Sequence, residues 1–118
     1  MRWLALLLLL PGCPWCELDS TLDVKQGSTT LHPGERVTLE LDSEGYVAGP
    51  DRCRGHWYVN EFEGGNPEVG VISRCGVFYA TSWPRPRPYT VIVTATQYPL
   101  GGCADCCPEE SIEITVTD

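Results

Sequence analysis

Apolar and polar residues alternate in short runs along most of this chain, and the runs are separated by glycine, proline and asparagine. Residues 89–96 (YTVIVTAT) put Tyr89, Val91, Val93 and Ala95 on one side and Thr90, Ile92, Thr94 and Thr96 on the other. Successive side chains of a strand point to opposite faces, so this pattern predicts a strand with one buried face. Residues 36–41 (RVTLEL) repeat it with Val37, Leu39 and Leu41 inward, and residues 111–117 (SIEITVT) with Ile112, Ile114 and Val116 inward. Weaker runs predict strands over residues 18–24, with Leu18, Leu22 and Val24 on one face, and over 69–73 and 77–80, with Phe78 and Ala80 inward. In residues 56–62, Trp57 and Val59 share one face, and His56, Tyr58 and Asn60 share the other. Residues 42–55 read as a long loop, 63–67 as a turn around Gly64 and Gly65, and 97–110 as a second long loop. Residues 81–88 end in Trp83-Pro84-Arg85-Pro86-Arg87-Pro88, whose prolines cannot donate to a ladder and predict an extended connection. No helical period follows the N-terminal leucine run. About seven short strands with turn signals between them predict an all-β sandwich over residues 18–118.

Several of these pieces resemble the bacterial immunoglobulin-like domains of exported surface proteins. They are Pro33-Gly34-Glu35, Trp57-Tyr58-Val59-Asn60, Gly64-Gly65, Gly70-Val71-Ile72-Ser73, Gly76-Val77-Phe78-Tyr79-Ala80, Val91-Ile92-Val93-Thr94-Ala95-Thr96 and Ile114-Thr115-Val116-Thr117. In that family a W-x-V-N strand leads to a Gly-Gly turn, a G-x-I strand, a G-x-Y-x-A-P run and a V-x-A strand. Thr81 stands where the family has proline, and Phe78 where it has tyrosine. The resemblance implies an immunoglobulin-like β-sandwich and an exported setting, and it supplies no catalytic residues.

The N-terminus predicts export on its own terms. Arg2 precedes an eight-residue apolar run, Trp3 to Leu10, too short to span a bilayer as a helix and suited to the core of a signal peptide. The run ends at Leu10-Pro11-Gly12-Cys13, which resembles a lipobox, in which the cysteine becomes the lipidated N-terminus. The expected organisation is a signal peptide over residues 1–12, a lipid-anchor tether over 13–17 with Cys13 lipidated, and the sandwich beyond. Cleavage there removes Arg2 and leaves seven basic residues against 16 acidic ones, a net charge of −9 where the whole chain carries −8. A surface so acidic repels phosphate backbones and argues against nucleic acid as a partner.

Seven cysteines in 118 residues fit an oxidising compartment. Setting Cys13 aside leaves Cys16, Cys53, Cys75, Cys103, Cys106 and Cys107 as disulfide candidates, with 15 pairings open. Consecutive antiparallel strands run alternately up and down, so loops alternate between two ends. Counted that way, Cys16, the 42–55 loop, the Arg74-Cys75-Gly76 turn and the 97–110 loop all fall at one end. The proline-arginine segment falls at the other.

Other chemistry is weakly supported. Cys103-Ala104-Asp105-Cys106 spells CxxC, but behind a signal peptide structural disulfides are expected there rather than zinc or a redox centre, and Cys13-Pro14-Trp15-Cys16 spells it at the cleavage site, outside any β-α unit. His32 and His56 fall at opposite ends, and no serine sits in a nucleophile-elbow sequence, so no triad is expected. Glu61, Glu63 and Glu68 around the Gly-Gly turn read as solvated turn acids. Trp83, Arg85 and Arg87 are the candidate contact for a protein partner. The expectation is a non-catalytic lipoprotein of the bacterial cell envelope, held to a membrane by its lipid and acting by protein contact or as a structural module. Neither cofactor nor metal is expected. The alternative is a ligand-, glycan- or metal-binding module using the cysteine-rich end.

Overall fold

The computed structural model describes residues 20–83, 86–99 and 108–118 of the chain. Among these residues there is no helix, and the strands are β1 (Thr21–Gln26), β2 (Thr30–Leu31), β3 (Arg36–Ser43), β4 (Tyr46–Ala48), β5 (His56–Val59), β6 (Phe62–Glu63), β7 (Gly65–Asn66), β8 (Gly70–Ile72), β9 (Val77–Tyr79), β10 (Tyr89–Thr96) and β11 (Glu109–Val116). They form two sheets. One has the order β1-β3-β9-β8-β7, with β4 also paired to β3; the other has the order β2-β11-β10-β5-β6. Every pairing is antiparallel except that of β2 with β11.

Each sheet is apolar on one face, and the two faces close on each other. The three longest alternating runs supply the centre of the core: Val37, Leu39 and Leu41 from β3, Val91 and Val93 from β10, and Ile114 and Val116 from β11 are all fully buried. Residues opposite one another in the ladder share a face, so Ile112, Val93 and Val59 form a continuous apolar row across β11, β10 and β5. Phe78 of β9, the largest fully buried side chain, fills the space between the sheets. Its ring lies against Gly70, where an added Cβ would come within 2.3 Å of the ring, at a φ of 128°. A glycine at 70 therefore makes room for the phenylalanine at 78.

The long alternating strands lie where the sequence places them, and four expectations are corrected. The first strand starts later, at Thr21, and runs to Gln26 with a bulge between Val24 and Gln26; Leu18 lies outside the described residues. The stretch 42–55 is not one loop. Strand β3 continues to Ser43, and the chain turns at Glu44-Gly45 and pairs back as β4, with Leu41 opposite Ala48. The strand over 56–62 stops at Val59, because Asn60 and Glu61 both take positive φ, 50° and 72°, and form a hairpin into β6. Asn60 then donates its main-chain N–H to the Ile92 carbonyl and accepts the Ile92 N–H on its side-chain oxygen. It continues the ladder without being a strand residue. The expected turn over 63–67 is a crossing between sheets: Glu63 ends β6 in one sheet, Gly64 donates to the Trp57 carbonyl and accepts from Ile72, and β7 begins in the other.

A further difference concerns exposure. Thr94, Thr96 and Tyr58, on the faces opposite the apolar rows, are buried as well. Their side of the second sheet stays polar but is satisfied, with Thr94 bonded to the Ser111 hydroxyl at 2.8 Å and Thr96 donating to the Tyr98 carbonyl. The excursions through β4 and through β6–β7 each add two reversals of direction, so the assignment of loops to two ends survives. Gly34 and Ala80 meet at one end, while Ser43, Gly55 and Thr96 lie at the other.

Replacing Phe78 by alanine removes the largest fully buried side chain of the core and is expected to cost about 3–5 kcal/mol, read as a lower midpoint in urea unfolding. Thr81 offers the opposite case. Its hydroxyl oxygen is buried with no hydrogen-bond partner, a desolvated group of a kind that costs about 1–3 kcal/mol. Thr81→Val keeps the shape and drops that oxygen, and is expected to raise the unfolding temperature; an unchanged or lower temperature contradicts the assignment.

Candidate functional site

The end of the sandwich where β3 turns into β4 gathers the residues with distinctive chemistry. Cys53, in the connection from β4 to β5, is bonded to Cys75, in the turn from β8 to β9, with their Cα atoms 4.1 Å apart. The bond closes a loop of 22 residues, a constraint worth about 3 kcal/mol. Both partners lie at the surface: Cys53 is exposed and Cys75 half-buried.

Trp57 forms the floor beneath this bond. Its indole N–H donates to the carbonyl of Arg54, the residue after Cys53, at 3.1 Å. On the other side, the far edge of its ring packs against Gly76, the residue after Cys75. A side chain at 76 would meet the Leu39 carbonyl at 2.4 Å and that ring at 2.9 Å, so the turn closes over the tryptophan only because the position is glycine, with φ at 78°. Trp57 thereby joins the core to the two segments that carry the disulfide.

Three arginines surround the bond in sequence: Arg52 and Arg54 flank Cys53, and Arg74 precedes Cys75. The Arg54 guanidinium lies over the Tyr46 ring, 4.4 Å from its centre, and its Nε donates to the Val47 carbonyl at 2.7 Å. Burial raises the Tyr46 phenol above its ordinary pKa of 10.0, against the opposing pull of Arg54 and of Arg74, with Tyr98 adding a smaller upward push. Beside Tyr46 an open groove of about 670 Å³ runs past Asp42, Glu44, Asp51, Arg52 and Arg54, so charges of both signs line it.

The remaining residues singled out in the sequence are scattered. Cys13, Cys16, Cys103, Cys106, Cys107 and Arg85 lie outside the described residues. Thr96 and Glu109, which bracket the 97–108 stretch, are opposite one another at the disulfide end, and Ser20 bonds to the Ser43 hydroxyl at that same end. Trp83 is exposed, at 45%. Arg87, by contrast, is tied to Asp118 at 2.7 Å. His56 pairs with Glu63 at 2.6 Å, which ties one of the turn acids, and His32 is at the opposite end. Among the described residues no three His, Cys, Asp or Glu side chains are grouped to hold a metal ion.

Tyr46 and the stacked Arg54 had no place in the sequence reading, because they sit in a stretch taken for loop. The Arg-Cys-Arg spelling at 52–54 was the available signal. Comparison with known proteins finds no matching family model, no matching curated protein and no matching solved structure.

Because the folded state favours the neutral phenol, its contribution at Tyr46 is present below pH 10 and is lost as pH rises through the elevated folded value. In an alkaline absorbance titration, one of the five tyrosines is therefore expected to ionise late. Tyr46→Phe should remove that late step; its persistence in the variant would place the raised phenol elsewhere.

Proposed function

We propose that this chain is a non-catalytic, lipid-anchored immunoglobulin-like module of the bacterial cell envelope, acting by protein contact or as a structural spacer. In this reading residues 1–12 direct export, Cys13 carries the lipid, and an immunoglobulin-like sandwich follows. The observation that carries it is the shared position of Ser20 and the Cys53–Cys75 bond at one end of the sandwich. Seven residues separate Ser20 from Cys13, a reach of roughly 25 Å at full extension. A lipid on Cys13 thus holds the disulfide end toward the bilayer and turns the Trp83 end outward. The oxidised Cys53–Cys75 pair fits an exported setting, since disulfides persist in oxidising compartments. Exposed Trp83 is the surface that a protein partner would meet first.

A second reading draws on the groove beside Tyr46, which would give a ligand-, glycan- or metal-binding module at the disulfide end. Native mass measurement of the purified protein separates the two, since this reading requires a stoichiometric bound species.

Anchoring is tested by expressing the full chain and its Cys13→Ala variant in a bacterium and weighing the intact protein from each cell fraction. The proposal expects wild type in the membrane fraction, diacylglyceryl-modified and beginning at Cys13, and an unmodified variant. Wild type that is soluble and unmodified overturns it.

A further inference from the structure

We propose that the Cys53–Cys75 bond is a thiol-exchange site, opened by attack of a small anionic thiolate on the Sγ of Cys53. This goes beyond the anchoring reading and does not depend on it. Three observations converge. Cys53 is exposed and Cys75 half-buried, so the bond is open to solvent from the Cys53 side. Arg52, Arg54 and Arg74, three of the eight basic residues of an acidic chain, lie next to the two cysteines, and none of them is in an ion pair with a carboxylate among the described residues. The bond itself brings the two loops together, with the Cα atoms of Cys53 and Cys75 4.1 Å apart, so Arg52 and Arg54 on one loop and Arg74 on the other come to one region.

The chemistry follows from that placement. A thiolate RS⁻ attacks Cys53, the Sγ–Sγ bond breaks, and Cys75 leaves as a thiolate while RS–S–Cys53 forms. A second RS⁻ attacks the outer sulfur of that mixed disulfide and releases RSSR and the Cys53 thiolate. Two thiols are oxidised, the protein disulfide is reduced, and the protein thiolates take protons from water. Arginines attract the incoming anion and stabilise the departing one, as positive neighbours do for reactive cysteines. Asp42, Glu44 and Asp51 in the adjoining groove oppose this, so the sign of the net effect is itself a test.

Opening the bond need not open the sandwich. The Cys53 side is also held by the paired main-chain bonds of Gly49 with Arg52 and by the Trp57 indole on Arg54. On the Cys75 side Gly76 donates to Ser73 and its carbonyl accepts from Leu39.

The experiment treats the oxidised full-length protein at neutral pH with reduced glutathione, traps thiols by alkylation, and reads Cys53 and Cys75 individually by peptide mass. Expected are a glutathione adduct on Cys53 rather than Cys75, retained strand circular dichroism, and a rate that falls as salt rises. The Arg52→Gln/Arg74→Gln variant should react at least threefold more slowly. Arg52→Lys/Arg74→Lys should stay near wild type, and Arg36→Gln, at the opposite end, should not differ. The proposal is overturned if alkylation occurs only as the protein unfolds, if the adduct forms on Cys75, or if removing the two charges leaves the rate unchanged.

Discussion

Two sheets that are each apolar on one face can hide those faces only against one another, and the whole structure answers to that constraint. β3, β10 and β11, eight residues each, meet it by alternation, strict in β3 and modified in β10, where Thr94 and Thr96 are buried too. The shorter strands cannot meet it alone. β5, β8 and β9 contribute three or four residues apiece, and they hold their places through Trp57, Val59, Ile72 and Phe78, which reach across to the opposite sheet. Gly70 and Gly76 let those rings approach the backbone. Removing a Cβ at the start of β8 and at the turn into β9 is thus part of the same solution as adding rings at two strands.

The legible part of the fold was the part governed by that constraint. Val37, Leu39 and Leu41, or Val91, Val93 and Ala95, announce their inward face because period two is the only way to keep them on it. Strand β4 was missed because Tyr46, Val47 and Ala48 are too few to show a period, and the turn before it carries only one glycine. The parallel pairing of β2 with β11 was missed because two residues, Thr30 and Leu31, leave no pattern at all. The stop at Asn60 was missed for a different reason: a hairpin of that kind favours glycine at its second position, and Glu61 stands there instead.

The candidate site was legible in its place and not in its content. Counting reversals put Cys53 and Cys75 at one end, and the count survived two excursions because each adds a return trip. It could not pair them, since six cysteines allow 15 arrangements and only proximity decides. Nor could it see Tyr46 under Arg54, a contact between a strand that was not expected and a loop residue. The proline-arginine segment was read as a uniform surface, whereas Arg87 is engaged by Asp118 and Trp83 is exposed.

Strand borders carry one more consequence. A sheet ends where its last strand leaves N–H and C=O groups unpaired, and such a border can recruit another chain and seed aggregation. Here β2, β4, β6 and β7 are two or three residues long, too short to template a stable addition. Among the described residues the longer borders are β11 over 109–114, beyond the two residues that β2 covers, and β1. β1 carries Asp23 and Lys25 and is twisted by its bulge near Gln26, all features that discourage edge-to-edge pairing. On β11 the open stretch carries Glu109, Glu110 and Glu113, so copies crowded on one surface would meet there as like charges and resist joining their sheets.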